Sequence, residues 1–235
     1  MDELSPVCVL AGGKGTRLGV QDRPKPLVQV AGEPFLFHPL RLLSAHGARR
    51  VVLLVDHLGE QIAEAVGDGS AWGLEAIVVF DAPGFTGTAG AVRGAVEHLG
   101  DEFLVLYGDT YLRIDYRAVQ AARRASGRPA LMTVLRNRGR WGPSNADYAD
   151  GIVTRHDKRA PDPAMAWIDY GLGVLTPEAL ERAPSAEDLA DVYRELAAEG
   201  QLAGYVATRR FYEIGSPAAL VETDAFLRAH TAAGR

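Results

Sequence analysis

The residues best suited to chemistry lie in one stretch near the start of the chain, VCVLAGGKGTRLGVQDRPKPLVQVAG at residues 7–32. A short apolar run leads directly into a turn of glycines and cations. Consecutive backbone N–H groups in such a turn form a concavity that binds anions, and glycine tolerates both positive φ and a close approach. The backbone of residues 12–15, with the guanidinium of Arg17, is therefore predicted to hold phosphate.

Lys25 stands between Pro24 and Pro26 in the same stretch. Proline fixes φ and removes a backbone donor, so the two prolines present the ammonium rigidly. A lysine meets phosphate as a point charge, and one contact at about 4 Å in an effective dielectric of about 20 contributes roughly 4 kcal/mol. The alternative interpretation is a solvated cationic loop.

Two familiar phosphate-binding motifs do not fit this turn. The dinucleotide pattern G-x-G-x-x-G fails at its last position, where the chain has Leu18, and the G-x-x-x-x-G-K-S/T spacing is absent. A dinucleotide-dependent oxidoreductase is therefore disfavoured, although titration with NAD(H) would test it.

A second candidate site follows another apolar run, in FLVLYGDTYL at residues 103–112. Gly108 and Asp109 come directly after the predicted strand, at the sheet edge where open α/β sheets bind ligands. Mg²⁺ prefers oxygen donors and often takes one or two carboxylates together with substrate phosphates. Asp109 is thus a candidate metal ligand, and a turn or capping aspartate is the alternative.

The segments LAGGKGTRL and RPKPLVQVAGEPFL resemble the signature of the sugar-1-phosphate nucleotidyltransferases, GGxGTRL followed by PKP. The chain is most similar to the short members, such as heptose-1-phosphate and mannose-1-phosphate guanylyltransferases and N-acetylmuramate-1-phosphate uridylyltransferases. The resemblance implies catalytic roles for Arg17 and Lys25. It implies nucleotide contacts from Leu10, Ala11, Gly12, Gly13, Gly15, Thr16, Gly87, Thr88 and Gly108.

The segment FTGTAGAV, residues 85–92, joins a glycine-rich loop to a predicted helix start. In the family it resembles, this segment lies against the base and the sugar, which would give that role to Gly87, Thr88 and Gly90. Thr88 is also predicted to be the helix N-cap, and a plain capped helix is the alternative. The preceding DAPGF departs from the usual family sequence and leaves the base preference open.

The resemblance assigns the sugar phosphate to the second half of the chain. Lys158, in TRHDKRAP, matches in part a family segment E-K-P, and a surface charge cluster explains it equally well. Asp169 and Gly171, in WIDYGLGVL, match a family strand I-N-A-G-I-Y-V-L, and Asn145 is added to this set. Glu213, in FYEIGSPAAL, takes the place of the family's second metal-binding aspartate and is one methylene longer.

Composition and net charge limit the possible binding partners and the cellular compartment. The chain has 235 residues and a formal net charge of −5, which argues against a nucleic acid or an anionic membrane as partner. The single cysteine, Cys8, excludes an intrachain disulfide and leads us to expect a reducing, cytoplasmic setting. No apolar segment reaches the length of a membrane span. Whether the chain forms a homo-oligomer stays open.

The elements that must position these residues alternate along the chain. Continuous apolar runs at residues 7–11, 51–55, 74–80 and 103–107 predict strands buried on both faces, as in parallel sheets, and helices are predicted at 35–45, 59–66 and 89–99. Beyond them we expect helices at 116–126, 177–183, 186–199 and 217–229, strands at 129–135, 168–175, 203–207 and 211–214, and loops with short hairpin strands at 136–166.

The expected fold is α/β, a Rossmann-like doubly wound mixed, mostly parallel sheet flanked by helices, of the nucleotide-diphospho-sugar transferase type. Residues 1–235 are expected to form one domain, with a nucleotide-binding half to about residue 115 and a sugar-phosphate-binding half from about 116.

The expected reaction is transfer of a nucleoside monophosphate from an NTP, with GTP as first choice, to a sugar 1-phosphate such as a heptose or mannose phosphate, with Mg²⁺ as cofactor. The alternatives are a UTP- or CTP-dependent transferase and a non-catalytic sugar-nucleotide sensor. The sensor is suggested by the departures at Glu213 and Lys158.

Overall fold

The computed structural model of the chain describes residues 3–13, 15, 18–19, 22–81 and 86–231. Two predicted site residues, Thr16 and Arg17, lie outside the described residues, as do residues 82–85 of the loop that departs from the family sequence. Among the helices of the described ranges, none is long and apolar enough to cross a membrane.

Thirteen strands and eight α-helices are described. The strands are β1 (Val7–Leu10), β2 (Gln29–Val30), β3 (Glu33–Pro34), β4 (Arg50–Val55), β5 (Glu75–Phe80), β6 (Phe103–Tyr107), β7 (Thr110–Tyr111), β8 (Ala130–Arg136), β9 (Ala146–Ala149), β10 (Ile152–His156), β11 (Trp167–Leu175), β12 (Leu202–Ala207) and β13 (Tyr212–Glu213). The helices are α1 (Phe37–Ala45), α2 (Gly59–Val66), α3 (Gly87–Gly94), α4 (Val96–Leu99), α5 (Tyr116–Ser126), α6 (Pro177–Glu181), α7 (Leu189–Ala198) and α8 (Pro217–Thr231).

Nine strands form one central mixed sheet in the order β5-β4-β1-β6-β11-β8-β12-β10-β9. The first four neighbours pair in parallel, and their apolar runs are covered by helices on both faces. This part has the doubly wound arrangement that the sequence predicts. β1 lies between β4 and β6, so the turns that follow these three strands meet at one edge.

The second half of the sheet runs largely antiparallel. β11 pairs with β6 on one side and β8 on the other, both antiparallel, and β8 pairs in parallel with β12. The β11–β8 register shifts between Asp169 and Gly173, which is a β-bulge. Bulges re-aim side chains and are frequent beside functional sites. The bulge therefore breaks the regular alternation of side chains at Asp169.

Most elements agree with the sequence prediction, and the differences are local. Helices α2 and α5 span the predicted residues, because both carry strong apolar periodicity. The predicted helix at 89–99 is two helices, α3 and α4, that meet at Ala95, whose φ of −111° and ψ of 2° are not helical. The hairpin of β2 with β3 was not predicted.

A small apolar cluster joins the start and the end of the chain. Val28 and Val30 pack there with Ile214 and with Leu227 of α8, and all four are buried. The Asp224 carboxylate of α8 also accepts a hydrogen bond from the Ala31 amide at 2.7 Å. Helix α8 therefore fixes the proline-flanked loop of Lys25 and the segment around Glu213 to the same support.

Candidate functional site

A cavity of about 330 Å³ opens where strands β1, β4, β5 and β6 end. This is the sheet edge at which the sequence analysis placed the ligand. The cavity brings together most of the predicted nucleotide-binding and catalytic residues. Those in its wall are Leu10, Ala11, Gly12, Gly13, Lys25, Gly87, Thr88, Gly108 and Asp109. Gly15 is described with a φ of +62° but does not line the cavity.

Two glycines in the wall allow strands to approach each other closely. The Gly108 amide donates a 2.9 Å hydrogen bond to the Leu10 carbonyl, and a Cβ on Gly108 would lie 2.8 Å from that same oxygen. A Cβ on Gly12 would lie 3.1 Å from Cβ of Asp56. A larger residue at position 108 would therefore push β1 and β6 apart at the floor of the cavity.

Lys25 and Asp109 form an ion pair in this cavity. The lysine Nζ donates to Oδ2 of the aspartate, and the two side chains are 10 % and 30 % exposed, respectively. Lys25 begins a short 3-10 turn after Pro24, so its backbone position follows from the proline pair as the sequence predicts. The chain thus places a mostly buried ammonium next to the predicted metal-binding carboxylate.

Glu213 lies beside this pair. β13 pairs with β7 so that Glu213 faces Thr110, and the Ile214 amide donates to the Asp109 carbonyl at 3.0 Å. The glutamate Oε2 accepts from the Gly215 amide, and a Cβ on Gly215 would lie 3.5 Å from Nζ of Lys25. The extra methylene of the glutamate is accommodated because the side chain folds back onto its own loop.

These residues fit a divalent cation held jointly with substrate. In the part of the chain that the structure describes, no three His, Cys, Asp or Glu side chains form a metal cluster. Two carboxylates could instead hold such a cation, Asp109 directly before β7 and Glu213 on its partner strand β13. Mg²⁺ is commonly bound in this way, by one or two carboxylates plus phosphates and water.

The N-terminal end of α3 is stabilised by other contacts than the sequence predicts. The N-cap is Thr86, and the prediction that Thr88 caps the helix is wrong. The Thr88 hydroxyl accepts a hydrogen bond from the Leu189 amide at 2.8 Å. Oδ1 of Asp188 accepts from the hydroxyl and from the amide of Thr88, each at 3.4 Å. Tertiary contact with the start of α7 replaces local capping, so Thr88 stays at the cavity wall in a supported position.

Gly87 permits this contact. Its φ is +66°, and a Cβ there would lie 2.5 Å from the Glu187 carbonyl oxygen. That same carbonyl accepts the Ala89 amide at 2.8 Å. Only glycine fits this position without moving the two segments apart.

Two carboxylates that the sequence analysis did not select, Asp56 and Asp81, line the cavity after β4 and β5. Both are exposed, and the Asp81 amide donates to the Val55 carbonyl at 3.0 Å. Partial burial, and then the negative charge of Asp56, raise the pKa of Asp81 above its ordinary value. The sequence could have indicated both as site residues, because each directly follows a predicted strand at the edge where such sheets bind ligands.

Tyr107 separates the cavity from the predicted sugar-phosphate residues. Its ring lies in the cavity wall, and Nζ of Lys158 is 4.9 Å from the ring centroid on a cation–π contact. Burial, followed by the charges of Asp169, Asp109 and Asp188, raises the pKa of the Tyr107 hydroxyl. The tyrosine is therefore neutral and lies near three carboxylates. The only sign in the sequence that Tyr107 lines the cavity is its position directly before Gly108.

The bulge in β11 positions Asp169 and Gly171. Gly171 has a φ of +95°, and its amide donates to Oδ1 of Asp169 at 2.9 Å. A Cβ on Gly171 would lie 3.8 Å from the Tyr107 ring. The structure thus brings Lys158, Asp169 and Gly171 around Tyr107, outside the wall of the 330 Å³ cavity.

Asn145 is buried and accepts hydrogen bonds from two segments that carry predicted sugar-phosphate residues. It is 8 % exposed, and its side-chain oxygen accepts from the Asp169 amide at 2.8 Å. Its carbonyl also accepts from the Asp157 amide at 2.9 Å, next to Lys158. Asn145 therefore connects the two segments that carry Asp169 and Lys158.

The sheet, the glycine turn and the Lys25–Asp109 ion pair at the carboxyl edge are typical of nucleotide-binding α/β proteins. The model of the MobA-like NTP transferase domain matches residues 7–203. The chain belongs to this family, and within it to the sugar-1-phosphate nucleotidyltransferases. The resemblance stated from the sequence is confirmed.

Two relatives illustrate the similarity. The N-acetylmuramate alpha-1-phosphate uridylyltransferase of Neisseria meningitidis serogroup B is 30% identical over 227 residues, covering 92% of this chain and 96% of its own length. The mannose-1-phosphate guanylyltransferase of Mycobacterium tuberculosis is 29% identical over 229 residues, covering 93% of this chain and 63% of its own. Other relatives are cytidylyl- and thymidylyltransferases, so the family relationship leaves the nucleotide open.

The fold agrees with a solved structure. HddC from Yersinia pseudotuberculosis superimposes with a TM-score of 0.78 at 22% identity, over 95% of this chain and 100% of HddC. At this identity the likeness concerns the fold. It confirms the expected α/β architecture with a central mixed sheet between helices.

Proposed function

We propose that the chain transfers a nucleoside monophosphate from GTP to a sugar 1-phosphate of the mannose or heptose type, releasing pyrophosphate and forming an NDP-sugar, with Mg²⁺ as cofactor. The observation that carries this proposal is the Lys25–Asp109 pair beside Glu213 at the open edge of the parallel strands. One positive and two negative groups are needed there to handle phosphates and a cation together.

In the proposed step an oxygen of the sugar phosphate attacks the α-phosphorus of the NTP. A new P–O bond forms, the bond to the β-phosphate oxygen breaks, and pyrophosphate leaves with the bonding electrons. No protein nucleophile takes part, since such transfers depend on positioning and charge stabilisation. Bringing the two phosphates together in the correct orientation supplies roughly 7–11 kcal/mol.

Different residues bind the NTP phosphates, the nucleoside and the cation. The backbone of residues 12–15 and the guanidinium of Arg17 bind the NTP phosphates, and Gly87, Thr88 and Gly108 shape the nucleoside side of the cavity. Lys25 lies between the α-phosphate and the attacking phosphate. When bound, Mg²⁺ held by Asp109 and Glu213 would offset the charge of the phosphate oxygens.

The sugar 1-phosphate binds across Tyr107, with its sugar on the side of Asp169 and its phosphate at the cavity edge between Lys158 and Lys25. Lys158 is exposed there and meets the phosphate, while Asp169 accepts hydrogen bonds from sugar hydroxyls. Asn145 holds Asp169 through the Asp169 amide. These assignments give each half of the chain one of the two substrates.

The preference for GTP is supported by Asp56 and Asp81. Carboxylates are acceptors only, and guanine presents adjacent N1–H and N2–H₂ donors on one edge. Uracil has a single N–H between two carbonyl oxygens, which two carboxylates would repel. UTP remains the second candidate because the Neisseria relative is a uridylyltransferase.

A pyrophosphate-release assay tests the proposal. Four NTPs are combined with mannose, glucose, heptose and N-acetylmuramate 1-phosphates, with and without Mg²⁺. Release with GTP and one sugar is the expected result, and release with UTP alone would overturn the choice of nucleotide. If NDP-sugars bind by calorimetry but no combination releases pyrophosphate, the chain is a sugar-nucleotide sensor.

A further inference from the structure

One arginine, Arg159, connects the two predicted substrate-binding sides of the protein. It directly follows Lys158, in the loop between β10 and β11. A terminal nitrogen of its guanidinium donates to Oδ2 of Asp191 at 2.6 Å and lies 3.5 Å from Oδ2 of Asp188. Both carboxylates belong to the N-terminal end of α7. The side chain of Arg159 therefore attaches the loop of Lys158 to this helix.

Asp188 also contacts the nucleotide side of the site. It lines the 330 Å³ cavity, and its Oδ1 accepts from the amide and the hydroxyl of Thr88 at 3.4 Å each. Oδ2 of the same carboxylate faces Arg159. These distances are at the long end of the range for hydrogen bonds, so the contacts can tighten when a ligand orders the carboxylate. One carboxylate thus lies between the nucleotide cavity and the loop of Lys158.

The turn that carries Lys158 is closed by Asp157, whose Oδ1 accepts from the amides of Arg159 and Ala160 at 2.9 and 2.8 Å. Within this turn, Nζ of Lys158 lies 4.9 Å from the ring centroid of Tyr107. The family segment E-K-P has a proline after its lysine, and proline fixes φ at that position. This chain has Arg159 there, so the ion pairs of its side chain restrain the loop instead.

The contact of Arg159 with Asp191 is the stronger of its two ion pairs. The Asp191 side chain is 9 % exposed and that of Asp188 is 47 % exposed, and pairs between exposed groups contribute little. A second arginine, Arg194, pairs with Oδ1 of Asp191 at 2.7 Å. Because Arg194 keeps a cation beside the buried carboxylate, replacement of Arg159 should leave the fold intact. The contribution of Arg159 is therefore to hold the loop.

We propose that Arg159 is a positioning residue that holds Lys158 for the sugar 1-phosphate and couples it, through Asp188, to the nucleotide. The identity of the two substrates rests on the proposed function. A nucleotide that orders Asp188 fixes the acceptor for Arg159, and less freedom is then lost when a phosphate binds to Lys158. By linkage, the sugar phosphate favours binding of the nucleotide by the same factor.

Hydrogen–deuterium exchange of the ligand-free protein tests the positioning role without any substrate. In Arg159→Gln, the amides of residues 156–161 should exchange about tenfold faster than in the wild type, as expected for the loss of one charged hydrogen bond. Arg194→Gln is the matched control, because it removes the other cation beside Asp191 and leaves the loop attached. Its exchange in this segment should equal that of the wild type. Equal exchange in Arg159→Gln and the wild type would overturn the proposal, as would equal acceleration in the two variants.

The coupling is tested by repeating the exchange with Mg²⁺ and the α,β-methylene analogue of GTP, which cannot release pyrophosphate. The corresponding analogue of UTP is used in parallel. At least one analogue should slow the exchange of residues 156–161 in the wild type and in Arg194→Gln by about tenfold, and should leave it unchanged in Arg159→Gln. The same slowing in Arg159→Gln, or no slowing in the wild type, would overturn the coupling.

Steady-state kinetics connect the position of Lys158 to the reaction. With GTP and mannose 1-phosphate, Arg159→Gln should raise KM for the sugar phosphate about tenfold and change kcat less than about threefold. Arg159→Lys keeps the charge and should recover part of the loss. An unchanged KM, or a loss confined to kcat, would overturn the positioning role. If the wild type releases no pyrophosphate with any NTP and sugar 1-phosphate, the proposed function fails, and the exchange experiment still decides the role of Arg159.

Discussion

Replacement of Lys25 by methionine is the most informative perturbation of the proposed active site. Methionine retains the length and apolar contacts of the lysine stem, so the change removes mainly the ammonium group. The side chain is only 10 % exposed and is paired with Asp109. Solvent therefore replaces little of the lost charge when the two phosphates come together.

The magnitude follows from the burial of the pair. A unit charge about 4 Å from a phosphate oxygen contributes about 4 kcal/mol at an effective dielectric of about 20. At about 1.4 kcal/mol for each factor of ten, turnover should fall about 1,000-fold. Because Asp109 is 30 % exposed and can be hydrated, the free energy of unfolding should fall by only about 1–3 kcal/mol.

The assay is pyrophosphate release at saturating substrates, together with urea denaturation of the same preparations. The double variant Lys25→Met, Asp109→Asn removes both charges of the pair and should regain most of the lost stability but none of the activity. Lys158→Met is the matched control, since that lysine is exposed, and it should raise KM for the sugar phosphate and change kcat little. Turnover of Lys25→Met within tenfold of the wild type would refute the assignment of Lys25.

Three further perturbations test other parts of the account. Glu213→Asp should keep at least half of the activity, whereas Glu213→Ala should raise the Mg²⁺ concentration for half-maximal rate at least tenfold; an unchanged Mg²⁺ titration would remove Glu213 from the metal site. Asp81→Asn should lower kcat/KM for GTP relative to UTP at least tenfold, and an unchanged ratio would separate Asp81 from base recognition. Burial lowers the pKa of His156, so the unfolded chain binds the proton more readily than the folded chain. The free energy of unfolding should therefore fall as the pH drops below about 6.5, by up to about 1.4 kcal/mol per pH unit. His156→Gln should flatten this dependence in urea denaturation at pH 7.0 and 5.0; parallel curves for the two proteins would contradict it.

The parallel half of the sheet could be predicted from the sequence because its strands are continuous apolar runs. Helices α2 and α5 were equally clear from periodicity. The pairing of β7 with β13 was not, since each has two residues and the two strands lie about 100 positions apart in the chain. The break between α3 and α4 at Ala95 has one local signal, the poor helix former Gly94, which the prediction of a single helix did not use.

The site was predictable where a motif lies on one stretch of chain. Gly12 and Gly13 of the glycine turn line one cavity with Lys25, Gly108 and Asp109, at the sheet edge that the sequence predicts. Asp188 reaches Thr88 from 100 residues away, and no pattern near either residue indicates that contact. The support of Asp169 by Asn145 likewise depends on tertiary structure, because these residues meet only through the packing of β11.

The most direct test of the central claim is ³¹P NMR of the complete reaction. The protein is incubated with Mg²⁺, GTP and mannose 1-phosphate, and with the other NTPs and sugar 1-phosphates in parallel. We expect the NTP and sugar phosphate signals to disappear and an NDP-sugar and pyrophosphate to form in equal amounts. Unchanged spectra in every combination, or release of inorganic phosphate without an NDP-sugar, would contradict this claim.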